Sequence, residues 1–303
     1  LNYNWIYDIL IDSHEQLWIS YNYNRNGVTV INRGTGIIKH ITTSEGLNSN
    51  NVRGFTEDNK GRIWISTDRG LNIIDQQAGT IKNIGKAQGL SGNNTGFIFQ
   101  DREGKIWMIV NERTIDIIDE RKGFIKHLDE QQGIGNKNIN YITEDKLGRI
   151  WLGTDGGGVI TIDEKEGNII KMGIDQGPVN YDISCLAFDE MDRVWIGSAG
   201  GGIDVYDAKN STIKPLSTAE GLNNNNVYAL YADNQHQVWI GMNGGEANIY
   251  NTSAGNIHHL SSKQGLSNNN TFYYGFAEDA NSRKWVSSSG GVDIIDENNG
   301  TVK

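Results

Sequence analysis

The sequence predicts an all-β fold, a seven-bladed β-propeller with four antiparallel strands per blade. Three observations carry this. Seven of the eight tryptophans form a ladder, Trp18, Trp64, Trp107, Trp151, Trp195, Trp239 and Trp285, spaced by 46, 43, 44, 44, 44 and 46 residues. Six residues before each stands an aspartate: Asp12, Asp58, Asp101, Asp145, Asp189, Asp233 and Asp279. Around each pair, short runs rich in Ile, Val, Trp and Thr alternate with turn residues, and no window of useful length shows a 3.6-residue apolar period.

The elements repeat in order within each unit. In the second unit the four strands read "VRGFTE", "RIWIS", "LNIID" and "TIKNI". The first strand is marked by a large apolar residue nine before the tryptophan: Ile9, Phe55, Ile98, Ile142, Leu186, Leu230 and Phe276. The second holds the tryptophan. The third ends at Asp75, Asp119, Asp163, Asp207, Asn251 or Asp296 in units two to seven. The blades span approximately 1–46, 47–89, 90–133, 134–177, 178–221, 222–265 and 266–303. Seven whole units fill the chain, so a single propeller domain over 1–303 is expected.

Columns present in every unit read as structure, because ring symmetry repeats the needs of the fold whereas a ligand needs one place. The tryptophans are expected to bury their rings between neighbouring blades. The aspartates precede turns such as "DNKGR" and should accept backbone N–H groups two residues on. Glycine pairs and triplets such as Gly200 to Gly202 suit positive-φ turns and close backbone approach, and lack the strand-to-helix setting of a phosphate loop. The asparagines of "GLNNNNV", beginning at Gly221, recur as "GLNSNNV" and "GLSGNNT" and read as loops between blades.

Composition narrows the function. The 303 residues carry a net charge of −10 with no Lys/Arg block, which argues against nucleic acid. No apolar run approaches the roughly 20 residues of a membrane span, so no membrane contact by this chain is expected. The single cysteine, Cys185, excludes an internal disulfide and a cysteine-rich metal site, and on an inner strand it reads as a small buried residue. None of the six histidines has metal-like spacing, so neither metal nor cofactor is expected.

At these residues the chain resembles the two-component regulator propeller repeat. The stretches "GLNSNNVRGFTEDNKGRIWISTDRGLNIID" and "YITEDKLGRIWLGTDGGGVITID" carry the pattern, and the likeness runs along essentially the whole chain. The resemblance implies a periplasmic or extracellular sensor region of a hybrid two-component system, an oligosaccharide as ligand, and signalling through adjoining domains or a second subunit. Sensors of that family usually carry more repeats than seven, with further domains after them.

Candidate ligand residues are those that break the repeat on the loop face. Thirteen residues before each ladder tryptophan five units keep Asn or Asp, whereas the first and last have Trp5 and Phe272. Tyr3, Tyr273 and Tyr274 flank them, and an enlarged first-blade loop adds Tyr21, Tyr23 and Arg25. Aromatic rings beside amides and charges suit sugars. The same sector is the seam of the ring, so a domain interface and plain seam packing are equally open there. A second, charged sector comprises Arg53, Asp68, Arg69, Glu112 and Arg113, suited to a uronic acid or another polar ligand, or else solvated surface. No convergent acid, base and nucleophile stands out, so a binding module is expected rather than an enzyme. A protein-interaction scaffold and a glycan-cleaving lyase or hydrolase are the alternatives.

Overall fold

The computed structural model describes residues 6–21, 26–172, 182–242, 246–267, 271–288 and 291–303, with the backbone alone at 271–274 and 288. It is a seven-bladed β-propeller of four-stranded antiparallel sheets, each built from strands consecutive in sequence. The innermost strands are Ile6–Ile11, Val52–Glu57, Thr95–Gln100, Ile139–Glu144, Ile183–Phe188, Val227–Ala232 and Thr271–Glu278. Among the described residues the only helical pieces are three-residue 3-10 turns such as Lys86–Gln88. Each ends on a left-handed glycine, Gly89, Gly133 or Gly265.

Contacts divide the chain into two compact units, Leu1–Ile142 and Thr143–Lys303, with the boundary inside the first strand of the fourth sheet. In the first unit, the inner strands of sheets one, two and three lie side by side; in the second, those of sheets five, six and seven do. Trp18 packs with Val52, Phe55, Ile63 and Ile65 of sheet two, and Trp64 with Ile98, Ile106 and Met108 of sheet three. Trp239 packs likewise with Val286 and Ile295 of sheet seven. The rings are 0–6% exposed. Burying one such ring contributes a gross transfer energy of about 4–6 kcal/mol.

The aspartate column does more than close turns. Oδ1 accepts the backbone N–H groups two and four residues on, as Asp58 does from Lys60 at 2.9 Å and Arg62 at 3.0 Å. Oδ2 accepts the indole Nε1–H of the ladder tryptophan in all seven sheets, at 2.7 to 3.1 Å. The six-residue spacing is therefore one clamp that fixes the turn and orients the buried ring. Burial works against ionisation of these carboxyls. The indole, arginine and amide donors together outweigh it and hold Asp58, Asp145 and Asp279 below the usual carboxylate range.

Glycine is required at Gly202, in the turn into the third strand of sheet five. Gly202 has φ +81°, and an added Cβ would stand 2.5 Å from the Leu216 carbonyl oxygen. The asparagine loops are tied down: Asn48 Nδ2 donates to the carbonyls of Arg69 and Leu71, and Asn225 Oδ1 accepts from Thr218 N. The loops leading into the inner strands thus meet the second-to-third-strand turns, as the repeat pattern implied.

Candidate functional site

The charged sector falls within the first unit. Arg53 occupies a β-bulge in the inner strand of sheet two, where the register jumps between Val52 and Gly54. A bulge re-aims one side chain and leaves it outside the ladder. Arg53 is half-buried and, among the described residues, has no hydrogen-bond or ion-pair partner. A half-buried guanidinium without a partner is open to an incoming anion, which it would hold by charge-assisted hydrogen bonds.

Asp68 and Arg69 form the turn above it. Ser49 Oγ donates to Asp68 Oδ1 at 2.5 Å and Asn51 Nδ2 to Asp68 Oδ2 at 3.1 Å. Arg69 N donates to Thr67 Oγ1, while its exposed side chain makes no bond among the described residues. In sheet three the same turn holds Asn111 and Glu112 at φ +50° and +66°, the left-handed region that glycine usually fills. Glu112 O accepts Ile139 N at 2.6 Å, and Arg113 Nε donates to Asn138 Oδ1 at 2.9 Å. The backbone is thereby pinned while the Glu112 carboxylate projects to solvent.

Sequence reasoning did not single out Asp8. It lies on the inner strand of sheet one, and its carboxylate reaches the next inner strand, accepting Phe55 N at 3.1 Å and Ile9 N at 2.9 Å. Desolvation dominates over the two amide donors and pushes the Asp8 carboxyl up to about 7. At neutral pH it can both donate and accept. Ten residues before the ladder tryptophan, the position of Asp8, sheets three and four carry Phe97 and Tyr141, whose rings meet at 4.6 Å and 43°. Comparing that column across units would have exposed Asp8 as the one carboxyl in it.

The first unit therefore presents, on and above adjoining inner strands, an unpaired arginine, a carboxyl poised near neutrality and an aromatic pair. The aromatic sector expected from the sequence is different. Trp5, Tyr3, Tyr23 and Arg25 lie outside the described residues, as do the side chains of Phe272, Tyr273 and Tyr274. Tyr21 is described: it is 4% exposed, and its hydroxyl donates to Thr29 Oγ1 at 2.7 Å. Cys185 is buried, and desolvation pushes its thiol up to about 12.

No curated protein matches the chain. Among solved structures, the extracellular domain of the hybrid two component system BT3049 from B. thetaiotaomicron superposes with a TM-score of 0.79 at 19% identity. That likeness covers 97% of this chain and 40% of the other, so the chain spans well under half of that domain. Virginiamycin B lyase from Staphylococcus aureus superposes at 0.72 and 18% identity, covering 95% and 93% of the two chains. YCF48 bound to D1 peptide superposes at 0.71 and 14% identity, covering 95% and 92%. At these identities the likeness is one of fold. The sequence model of the family described as "Two component regulator propeller" matches residues 46–69, 133–156 and 221–244, the loop, inner strand, turn and second strand of sheets two, four and six. The same aspartate–tryptophan clamp recurs in the other four sheets, and the matched segments identify repeats of the two component regulator propeller type in this chain.

Proposed function

We propose that the chain is an extracytoplasmic sensing module that binds an oligosaccharide, one residue of which is acidic, on the loop side of the first unit. The observation that carries this reading is the half-buried Arg53 without a partner among the described residues. Its charge suits a uronate carboxylate, and the Phe97–Tyr141 pair suits the C–H face of a sugar ring. The family and the BT3049 domain supply the sensing context; binding would be passed to adjoining domains or a second subunit.

Calorimetry against uronate-containing and neutral oligosaccharides tests this. Binding of a uronate-containing glycan is expected, and Arg53→Ala should weaken it at least tenfold, about 1.4 kcal/mol. Neutral glycans should be affected less. Unchanged uronate affinity in Arg53→Ala would remove this site. Chain cleavage of the glycan would point to a lyase, the activity in the name of the virginiamycin B lyase neighbour, and capture of a peptide without glycan binding would point to a protein-interaction module, as the peptide-bound YCF48 neighbour suggests.

A further inference from the structure

Two kinds of side chain cross the seams between sheets on the side away from the loops. One comes from the end of the inner strand: Glu57 Oε2 accepts Ser13 N at 2.7 Å, and Gln100 Oε1 accepts Asn59 N at 2.8 Å. The other follows the third strand: Gln76 Nε2 donates to Asp12, Glu120 Oε2 accepts from Arg62 and Lys60, and Thr252 Oγ1 donates to Glu190. Sheet five replaces both, with Phe188 at the first position and Ala208 at the second.

A pocket of about 280 Å³ opens where those latches are missing, within the second unit, between sheets four and five. Phe188, Leu147, Val194 and Ala208 supply apolar walls. Leu147 is 68% exposed at a turn position that other sheets fill with His14, Lys60, Glu103, Gln235 and Asn281. Only sheet five shares the apolar choice, with Met191 at 42% exposure.

The charges around the mouth are unbalanced. Arg149 is the counterpart of Arg62, and both give Nε to the turn aspartate, at 2.6 and 2.7 Å. Arg62 also has the Glu120 carboxylate 2.6 Å from Nη2. Arg149 has no second acid among the described residues, because the counterpart of Glu120 is Ala208. Lys146 and Lys209 share Asp192, at 2.9 and 3.7 Å. Three cations thus face two carboxylates, Asp145 and Asp192, in a chain whose net charge is −10.

We propose that this pocket binds a small carboxylic acid with an apolar body. Its carboxylate takes the place of the missing Glu120-type group on Arg149, and its body lies against Phe188 and Leu147. Sheets two and three show the same arrangement made by the chain itself.

The probes are 3-phenylpropionate, benzoate and isovalerate, with 3-phenylpropionamide as the neutral control, titrated calorimetrically into the intact chain. At least one acid is expected to bind with a Kd of about 0.1–1 mM, as suits so few heavy atoms, and the amide at least tenfold more weakly. Ala208→Glu supplies the carboxylate internally and should abolish acid binding. Failure of every acid to bind below about 10 mM overturns the proposal. So does equal binding of acid and amide, which would make the pocket a plain apolar hollow, or undiminished binding by a folded Ala208→Glu chain. The acid–amide comparison needs no variant and stands if that substitution does not fold.

Discussion

Asp8 occupies a position that other sheets fill with Gly54, Phe97, Tyr141, Cys185 or Ala229. Its folded-state carboxyl titrates near 7 against 3.8 for an ordinary aspartate, with desolvation as the cause. The folded chain therefore holds a proton between those values that the unfolded chain has released. Stability from this group is complete below about pH 4 and declines as pH rises towards 7, by at most about 4 kcal/mol. An asparagine side chain in its place would stay neutral throughout. Asp8→Asn should gain stability over wild type as pH rises from 4 to 7 and level off above, measured by urea unfolding across that range. A constant difference would show that Asp8 titrates normally. Glu190 works in another window. Burial disfavours its charge, but Thr252 and His236 outweigh this and bring it down from 4.5 to about 2, so its contribution is full above about pH 5 and is lost as pH falls from there to about 2.

The sheet is the scale at which the sequence was most legible. Period, tryptophan ladder and turn aspartates imply four strands per unit, and the strands lie where the runs predict. The indole–carboxylate bond was not read from the six-residue spacing, although that spacing is its signature. Seam contacts were less legible because their partners stand far apart in sequence, Gln16 with Gln76 and Thr252 with Glu190, with no local pattern linking them. Arg53, Asp68, Arg69, Glu112 and Arg113 surfaced because they break a repeat; Phe188 and Ala208 break one too, in columns whose role only the seams reveal. Lys284 is the sharpest case. The residue before the ladder tryptophan is Leu17, Ile63, Ile106, Ile150, Val194 or Val238 elsewhere. Lys284 is 1% exposed, with Nζ 3.2 Å from Asp233 in sheet six and 2.8 Å from Glu278. Sheet six has Gln237 where most turns have an arginine, so the lysine supplies that cation from the neighbouring sheet. Lys284→Val restores the apolar residue but strands two carboxylates. It should cost about 3–5 kcal/mol, read as a lowered denaturation midpoint. Adding Glu278→Gln should recover part of the loss, and a neutral Lys284→Val would show that the pair contributes nothing.

Across the molecule, constant columns and their exceptions should respond oppositely to substitution. A residue repeated seven times serves the fold, so changing one copy removes stability. Asp101→Asn leaves one acceptor for both the Trp107 indole and the Lys105 amide, now bonded at 2.7 and 2.8 Å, and one buried donor goes unpaired. That should cost about 1–3 kcal/mol. An exception that, unlike Lys284, bonds nothing in the chain serves something other than stability, and returning it to the common pattern should be neutral or stabilising while function is lost. Arg53→Asn, the residue of sheet four at that position, removes a half-buried unpaired charge. Ala208→Glu adds a charge-assisted bond to Arg149 worth about 1–2 kcal/mol. For a chain this long, each kcal/mol moves the melting midpoint by roughly 2 °C. Thermal melts should therefore show Asp101→Asn falling by roughly 2–6 °C, Arg53→Asn unchanged or higher, and Ala208→Glu higher by roughly 2–4 °C. If the two reversions destabilise the chain as Asp101→Asn does, Arg53 and Ala208 are parts of the fold. The unpaired guanidinium and the open seam would then have to be explained by packing instead of binding.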